Sequence, residues 1–265
     1  MKKIALYLLA GTFLLGCGGD DSDSDFESND NLNSKLPSGF YTGTTDEGEY
    51  LEGLVDDDSK MWFIYSEPKN STPENSETDK FLGVIKSDNT VVLNSSRFVA
   101  LGKGYSFDNR AGYRNIVING NYKTSKAITG TLVESGSRTI EYNIGYEETV
   151  SAKKHTLNIV DNKVYKAGSY VSGINGSSAT TINFTTAGNF TGSDSRGCTI
   201  SGKLIPSASE RYFVSKITFS GTSCSLSGYK VGEVYTGISV VDGKNNDAIL
   251  FIGTDTTGNT SIVFI

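Results

Sequence analysis

The sequence predicts an all-β protein built from two tandem antiparallel β-barrel or β-sandwich domains that follow a disordered tether. Three observations predict this fold class. Apolar and polar residues alternate with a period of two, turn-forming residues recur at short intervals, and no long segment has helical periodicity. Many short strands between regular turns are typical of a sandwich or a barrel, and we favour the barrel because both halves have the pattern of a meander with few edges.

The individual strands follow from the alternation. Along residues 139–146, isoleucine and tyrosine at the even positions share one face and polar residues share the other. Residues 212–219 also alternate, with Phe213, Ile217 and Phe219 on the inward face. Residues 61–65, MWFIY, are apolar at every position, and this predicts a central strand that is buried on both faces.

A weak internal echo divides the chain into two domains. The sequence GFYTG at residues 39–43 opens the first half and GSYVSG at 168–173 opens the second, and a series of short strands follows each. We therefore place the first β-domain at residues 37–150, a linker at 151–166 and the second β-domain at 167–265.

Residues 1–16 have the pattern of a secretory signal peptide. Lys2 and Lys3 precede an apolar run of about a dozen residues, whereas a membrane-spanning helix needs roughly 20. The run ends in LLGC at residues 14–17, and this resembles the lipobox at which bacterial lipoproteins are cleaved and lipid-modified.

The lipobox resemblance implies a mature protein that begins at Cys17 and is held to the membrane by acyl chains on that residue. Several acyl chains together give stable attachment, whereas one chain gives marginal binding. The same resemblance favours the outer membrane, because Gly18 stands where an aspartate would indicate retention in the inner membrane. Both the periplasmic and the external face of the outer membrane are left as alternatives. More broadly, the chain resembles outer-membrane and surface lipoproteins with tandem β-domains.

Residues 17–36 are predicted to form a disordered tether. They hold six acidic residues, and no basic residue precedes Lys35. High charge with low hydrophobicity cannot bury enough apolar surface to offset the entropy of ordering. We interpret the acidic residues as a solubilising, self-repelling spacer, while an export signal, by resemblance to surface-exposed lipoproteins, is the alternative.

Charge and residue counts exclude several function classes. The net charge of -6 falls to -8 once Lys2 and Lys3 leave with the signal peptide, and an acidic chain without a basic cluster is a poor nucleic-acid binder. His155 is the only histidine, and we interpret it as a solvated residue of the predicted linker; no GxSxG motif is present. We therefore predict no catalytic residues, no metal and no cofactor, and we interpret residues 56–58, DDD, as a turn rather than a calcium site.

Cys198 and Cys224 are predicted to form a structural disulfide. The compartment beyond the inner membrane is oxidising, and these are the two cysteines that remain besides Cys17. A redox-active or metal-binding pair is the alternative, but the CxxC spacing and nearby histidines are missing.

Two stretches are candidates for partner binding. Residues 67–79 are a long polar loop, and such loops are often functional. Residues 102–115 combine tyrosine and arginine, which are enriched at interface hot spots, although an ordinary hairpin would also explain them. The predicted contact residues are Tyr105, Phe107, Arg110, Tyr113 and Arg114.

These observations predict a non-enzymatic, lipid-anchored outer-membrane lipoprotein that binds a protein or small-molecule ligand. A periplasm-facing structural or assembly accessory of the envelope is the alternative. A hydrolase is a third hypothesis, because a pair of catalytic carboxylates is assembled in space and has no sequence signature.

Overall fold

Each half of the chain folds into a closed eight-stranded antiparallel barrel. The predicted class, all-β with two tandem domains, is confirmed, and the domains are barrels rather than sandwiches. A computed structural model describes residues 34–67, 81–107, 112–134, 138–174, 177–242 and 246–265. Within those ranges, no helix combines the length and apolar character needed to cross a bilayer.

The first barrel is an up-and-down meander with a short ribbon beside it. Its strands and those of the ribbon are β1 (Ser34–Lys35), β2 (Gly39–Thr45), β3 (Tyr50–Val55), β4 (Met61–Ser66), β5 (Phe81–Ser87), β6 (Val92–Leu93), β7 (Arg97–Ser106), β8 (Tyr113–Tyr122), β9 (Ala127–Glu134) and β10 (Thr139–Tyr146). β1 pairs with β6 to form the ribbon. The barrel closes where β10 pairs with β2, with Ile144 opposite Gly43.

The second barrel has the same meander order. A short helix, α1 (Glu148–Ser151), and a 3-10 turn (Leu157–Ile159) lead into it. Its strands are β11 (Val164–Val171), β12 (Ser178–Phe184), β13 (Asn189–Asp194), β14 (Thr199–Pro206), β15 (Phe213–Ser220), β16 (Val234–Asp242), β17 (Ala248–Thr254) and β18 (Ser261–Phe264). The barrel closes where β18 pairs with β11, with Val263 opposite Tyr170.

Glycines permit the closure of the first barrel at the GFYTG motif. A β-carbon on Gly43 would lie 1.9 Å from the carbonyl oxygen of Asn143 on the closing strand β10. Gly39 has a φ of +147°, which L-residues rarely adopt. Any side chain at Gly43 would therefore push β2 and β10 apart at the seam of the barrel.

Packed side chains fill both barrel interiors. In β10 the even-numbered residues Ile140, Tyr142 and Ile144 are buried, as the alternation predicts. Apolar and aromatic residues form one continuous cluster inside each barrel. Eight-stranded barrels are about wide enough for their own side chains, and here the described inward positions are used for packing.

The domain boundaries lie a few residues from those predicted. Residues 34–36, at the end of the predicted tether, belong to the folded part, because Leu36 is buried and its N–H donates to Val91. The predicted disorder of residues 17–33 lies outside the described residues. At the linker, β11 begins at Val164, so three predicted linker residues pair with β12.

The linker is fixed to the second barrel by His155, which is fully buried rather than solvated. Its Nε2 accepts a hydrogen bond from the backbone N–H of Val241 at 3.0 Å. Its ring packs edge-on against Phe213, with centroids 5.5 Å apart. His155 therefore has a packing role, and its Nδ1 lies 3.2 Å from the carbonyl oxygen of Lys153.

A third apolar cluster joins the outer walls of the two barrels. On β4 and β5 of the first barrel, Trp62, Ile64 and Val84 face outward and are buried. They belong to the same buried cluster as Ile238 on β16 and Ile252 on β17 of the second barrel. This explains residues 61–65: one face of β4 fills the barrel and the other packs in the interface.

Polar contacts at both ends fix the barrels side by side. At one end, Arg211 donates to the carbonyl oxygen of Ser38 at 2.6 Å, close to where the chain enters the first barrel. At the other end, the N–H of Gly173 donates to the carbonyl oxygen of Ser106 at 2.9 Å. We call the end beside Ser38 the proximal end and the end beside Ser106 the distal end.

Candidate binding surface

Two of the five predicted contact residues lie between the barrels. Tyr105 is fully buried, and its hydroxyl donates to the carbonyl oxygen of Gly258 in the second barrel at 2.8 Å. Burial raises the pKa of the Tyr105 hydroxyl well above its usual value. Phe107 is 5% exposed and packs in the same interbarrel cluster. Both side chains are thus covered by the second barrel and hold the two barrels together.

The other three residues do not form one exposed patch with them. Tyr113 is half-buried against the interbarrel cluster, with the Lys103 ammonium 4.2 Å from its ring centre. Arg114 is exposed and forms an ion pair with Glu134 at 2.9 Å. Arg110 lies outside the described residues, as do residues 68–79 of the polar loop. The alternation did carry a signal, because it places Tyr105 on the outer face of β7, where a buried aromatic side chain needs a second surface.

The DDD sequence at residues 56–58 is a turn, as interpreted from the sequence. The Asp56 carboxylate accepts hydrogen bonds from the backbone N–H groups of Asp58 and Lys60, both at 2.9 Å, and from Trp62 Nε1 at 2.9 Å. Burial raises the pKa of Asp56 despite these bonds. N–H donors thus occupy this carboxylate, and among the described residues no three His, Cys, Asp or Glu side chains cluster as a metal site.

Exposed apolar side chains gather on loops at the distal end of the second barrel. The loops between β11 and β12 and between β15 and β16 both lie at this end. Leu226 is 68% exposed, Val231 56% and Ile174 39%, and Ile174 packs directly beside Gly228. We call these three residues the apolar rim. Apolar side chains held out on loop tips at one end are typical of an interaction surface.

Covalent and polar contacts brace the loops of the apolar rim. The predicted disulfide is present: Cys198 and Cys224 are bonded, with their Cα atoms 4.5 Å apart. Arg196 donates to the carbonyl oxygen of Leu226. Asp194 accepts hydrogen bonds from the N–H of Cys198 at 2.8 Å and from the hydroxyl of Ser227. The rim therefore rests on a fixed frame.

An ion pair with a buried carboxylate braces the later part of the loop between β15 and β16. The Lys230 ammonium donates to the Asp255 carboxylate, whose side chain is fully buried. Burial opposes ionisation of Asp255, but hydrogen bonds from Lys230 and from two backbone N–H groups outweigh it, so that its pKa lies below the usual value. Asp255 thus stays charged at neutral pH and ties the loop of Val231 to the turn between β17 and β18.

An aromatic plug closes the distal mouth of the second barrel beneath the apolar rim. The ring of Tyr229 stacks on Phe219 with centroids 3.9 Å apart. Its hydroxyl donates to Ser169 Oγ at 2.6 Å, and burial raises its pKa to about 12. The distal loops are therefore anchored into the barrel core and leave their apolar tips outside.

Sequence reasoning missed the apolar rim, because its residues lie in Ser- and Gly-rich stretches without periodicity. The usable signal was local: Leu226 follows Cys224 closely, and Val231 stands between two positive-φ glycines, Gly228 and Gly232. Comparisons of the chain with protein-family models, with curated proteins and with solved structures find no match.

Proposed function

We propose that the protein is a non-enzymatic, lipid-anchored lipoprotein of the outer membrane, and that its paired barrels present the apolar rim to a protein partner. The observation that carries the proposal is that the chain entry and the apolar rim lie at opposite ends of the barrels. The chain enters the first barrel at the proximal end, beside Leu36 and Ser59, whose hydroxyl donates to the Leu36 carbonyl oxygen at 2.6 Å. The rim lies at the distal end. An anchor at Cys17 would leave the rim facing away from the membrane.

Filled barrel interiors favour a protein partner over a small molecule. Small-molecule sites are concave and enclose most of their ligand. Most inward positions described in the two barrels hold packed apolar side chains instead, and buried serine and threonine side chains in the second barrel hydrogen-bond to one another. By contrast, Leu226, Val231 and Ile174 project outward, and an apolar centre with a polar surround is the usual arrangement of a protein–protein contact.

The lipid anchor is tested by replacing Cys17 with alanine in the full chain. We expect the wild-type protein to incorporate radiolabelled palmitate and to stay with the outer-membrane fraction. The Cys17→Ala variant is expected to lose the label and to enter the soluble fraction while its circular dichroism stays that of an all-β protein, because the first barrel strand begins only at Gly39. The matched control is Ser34→Ala, which should keep the label. A Cys17→Ala variant that is still labelled would contradict the anchor.

A further inference from the structure

One wall of the second barrel carries cations and neutral polar groups but no exposed carboxylate. The outward faces of β13, β14 and β15, which we call the lysine wall, display exposed Thr191, Ser193, Thr199, Ser201, Lys203 and Lys216. The only acidic residue in these three strands is Asp194, which is buried and hydrogen-bonded. The lysine wall thus presents positive and neutral groups on a protein whose net charge is -6.

Two lysines lie directly opposite each other on the lysine wall. Lys203 on β14 is the register partner of Lys216 on β15, and both are exposed. Opposed residues on neighbouring strands have their Cβ atoms about 5 Å apart, and like charges in this arrangement destabilise a sheet. In the described part of the chain, neither ammonium group forms an ion pair.

Neutral hydrogen-bonding groups extend the lysine pair across the sheet. Asn189 on β13 pairs with Lys203, and Thr236 on β16 pairs with Lys216. With strands about 4.8 Å apart, this row spans roughly 14 Å across four strands. The next row holds Thr191, Ser201 and Thr218, which are also register partners. The wall thus offers two adjacent cations within a field of hydroxyl and amide groups.

We propose that the lysine wall binds an acidic polysaccharide. Sulfate or carboxylate groups on the sugar would relieve the repulsion between Lys203 and Lys216, and charge-assisted hydrogen bonds of this kind are stronger than neutral ones. Threonine, serine and asparagine side chains can donate to and accept from sugar hydroxyls. The wall has no exposed aromatic side chain on which nucleic-acid bases could stack, and this favours a sugar polymer over a nucleic acid. This binding site is separate from the apolar rim.

The test measures the binding of fluorescein-labelled dextran sulfate to the full, detergent-solubilised protein by anisotropy. We expect the K203Q/K216Q variant to bind at least about tenfold more weakly, because two charge-assisted contacts are lost. The matched control is K35Q/K123Q, which removes two exposed lysines elsewhere and changes the net charge equally. We expect the control to change affinity less than about twofold, since Lys35 and Lys123 lie outside the lysine wall and distant exposed charges are screened. K35Q/K123Q should keep the wild-type melting temperature, and K203Q/K216Q should melt at that temperature or slightly above it, because it removes the repulsion between the opposed lysines.

Several results would overturn the proposal. Equal weakening in both variants would show that only net charge matters, and unchanged binding in K203Q/K216Q would show that the wall is not the site. Binding of uncharged dextran, or equally tight binding of duplex DNA or of phosphatidylglycerol vesicles, would exclude an acidic polysaccharide as the preferred class. A Leu226→Ser variant should bind dextran sulfate normally, so this test is separable from that of the proposed function.

Discussion

Replacing Tyr105 with alanine is expected to lower the free energy of unfolding by about 3–5 kcal/mol, the range measured for truncating large buried aromatic side chains. Tyr105 fills the interface between the barrels, and its hydroxyl bonds to the Gly258 carbonyl oxygen across that interface. Tyr105→Phe keeps the ring and should cost only about 1 kcal/mol, the usual net value of one hydrogen bond. The difference between the two variants separates packing from hydrogen bonding.

The single tryptophan makes this loss observable at the interface itself. Trp62 is 6% exposed and belongs to the same interbarrel cluster as Tyr105. Urea unfolding followed by tryptophan fluorescence should therefore show a lower midpoint and a red-shifted native emission for Tyr105→Ala. Tyr50→Ala, at a half-buried tyrosine outside that cluster, is the control and should leave the emission unchanged. A loss below about 1 kcal/mol with unchanged emission would contradict the role of Tyr105 in the interface.

Removal of the disulfide in a C198A/C224A variant is expected to cost about 3.5 kcal/mol. The two cysteines are 26 positions apart, and the chain-entropy model gives this value for a loop of that length. For a chain of this size the loss corresponds to a fall in melting temperature of roughly 10 °C. Differential scanning calorimetry measures it directly.

The reductant dithiothreitol supplies the control for the disulfide. It should lower the melting temperature of the wild-type protein toward that of C198A/C224A and should leave the variant unchanged. The variant should also show faster amide exchange in the two loops that hold Arg196 and Leu226, because the disulfide joins them. An unchanged melting temperature in the variant would mean that the remaining contacts, including the Asp194 hydrogen bonds, are sufficient to hold the loops.

Periodicity predicted those parts of the fold that depend on one barrel at a time. Residues Ile140, Tyr142 and Ile144 of β10 and Phe213, Ile217 and Phe219 of β15 are buried because each strand has one face toward its own core. The disulfide was also predictable, since oxidising conditions pair the two available cysteines. Closed barrels were favoured over sandwiches because both halves of the chain have the pattern of a meander with few edge strands.

Contacts between distant segments could not be read in the same way. From the sequence alone, Tyr105 and Phe107 have the character of exposed hot-spot residues. Their burial depends on strands β16 to β18, which lie about 130 or more positions later in the chain. His155 was expected in solvent because it lies in the predicted linker, yet its ring is buried and accepts a hydrogen bond from the Val241 N–H. The apolar rim was missed because its residues become neighbours only when two loops meet at one barrel end.

Photo-crosslinking in intact cells tests most directly whether the distal end is the binding end. Benzoylphenylalanine is placed at Leu226 on the apolar rim or at Val164, the first residue of β11 at the proximal end. The two positions are matched, because Leu226 is 68% and Val164 59% exposed. We expect a discrete crosslinked product of higher mass from position 226 and no product from position 164. The product from position 226 should be lost when Val231 and Ile174 are also replaced by serine. A product from Val164 without one from Leu226 would contradict this expectation.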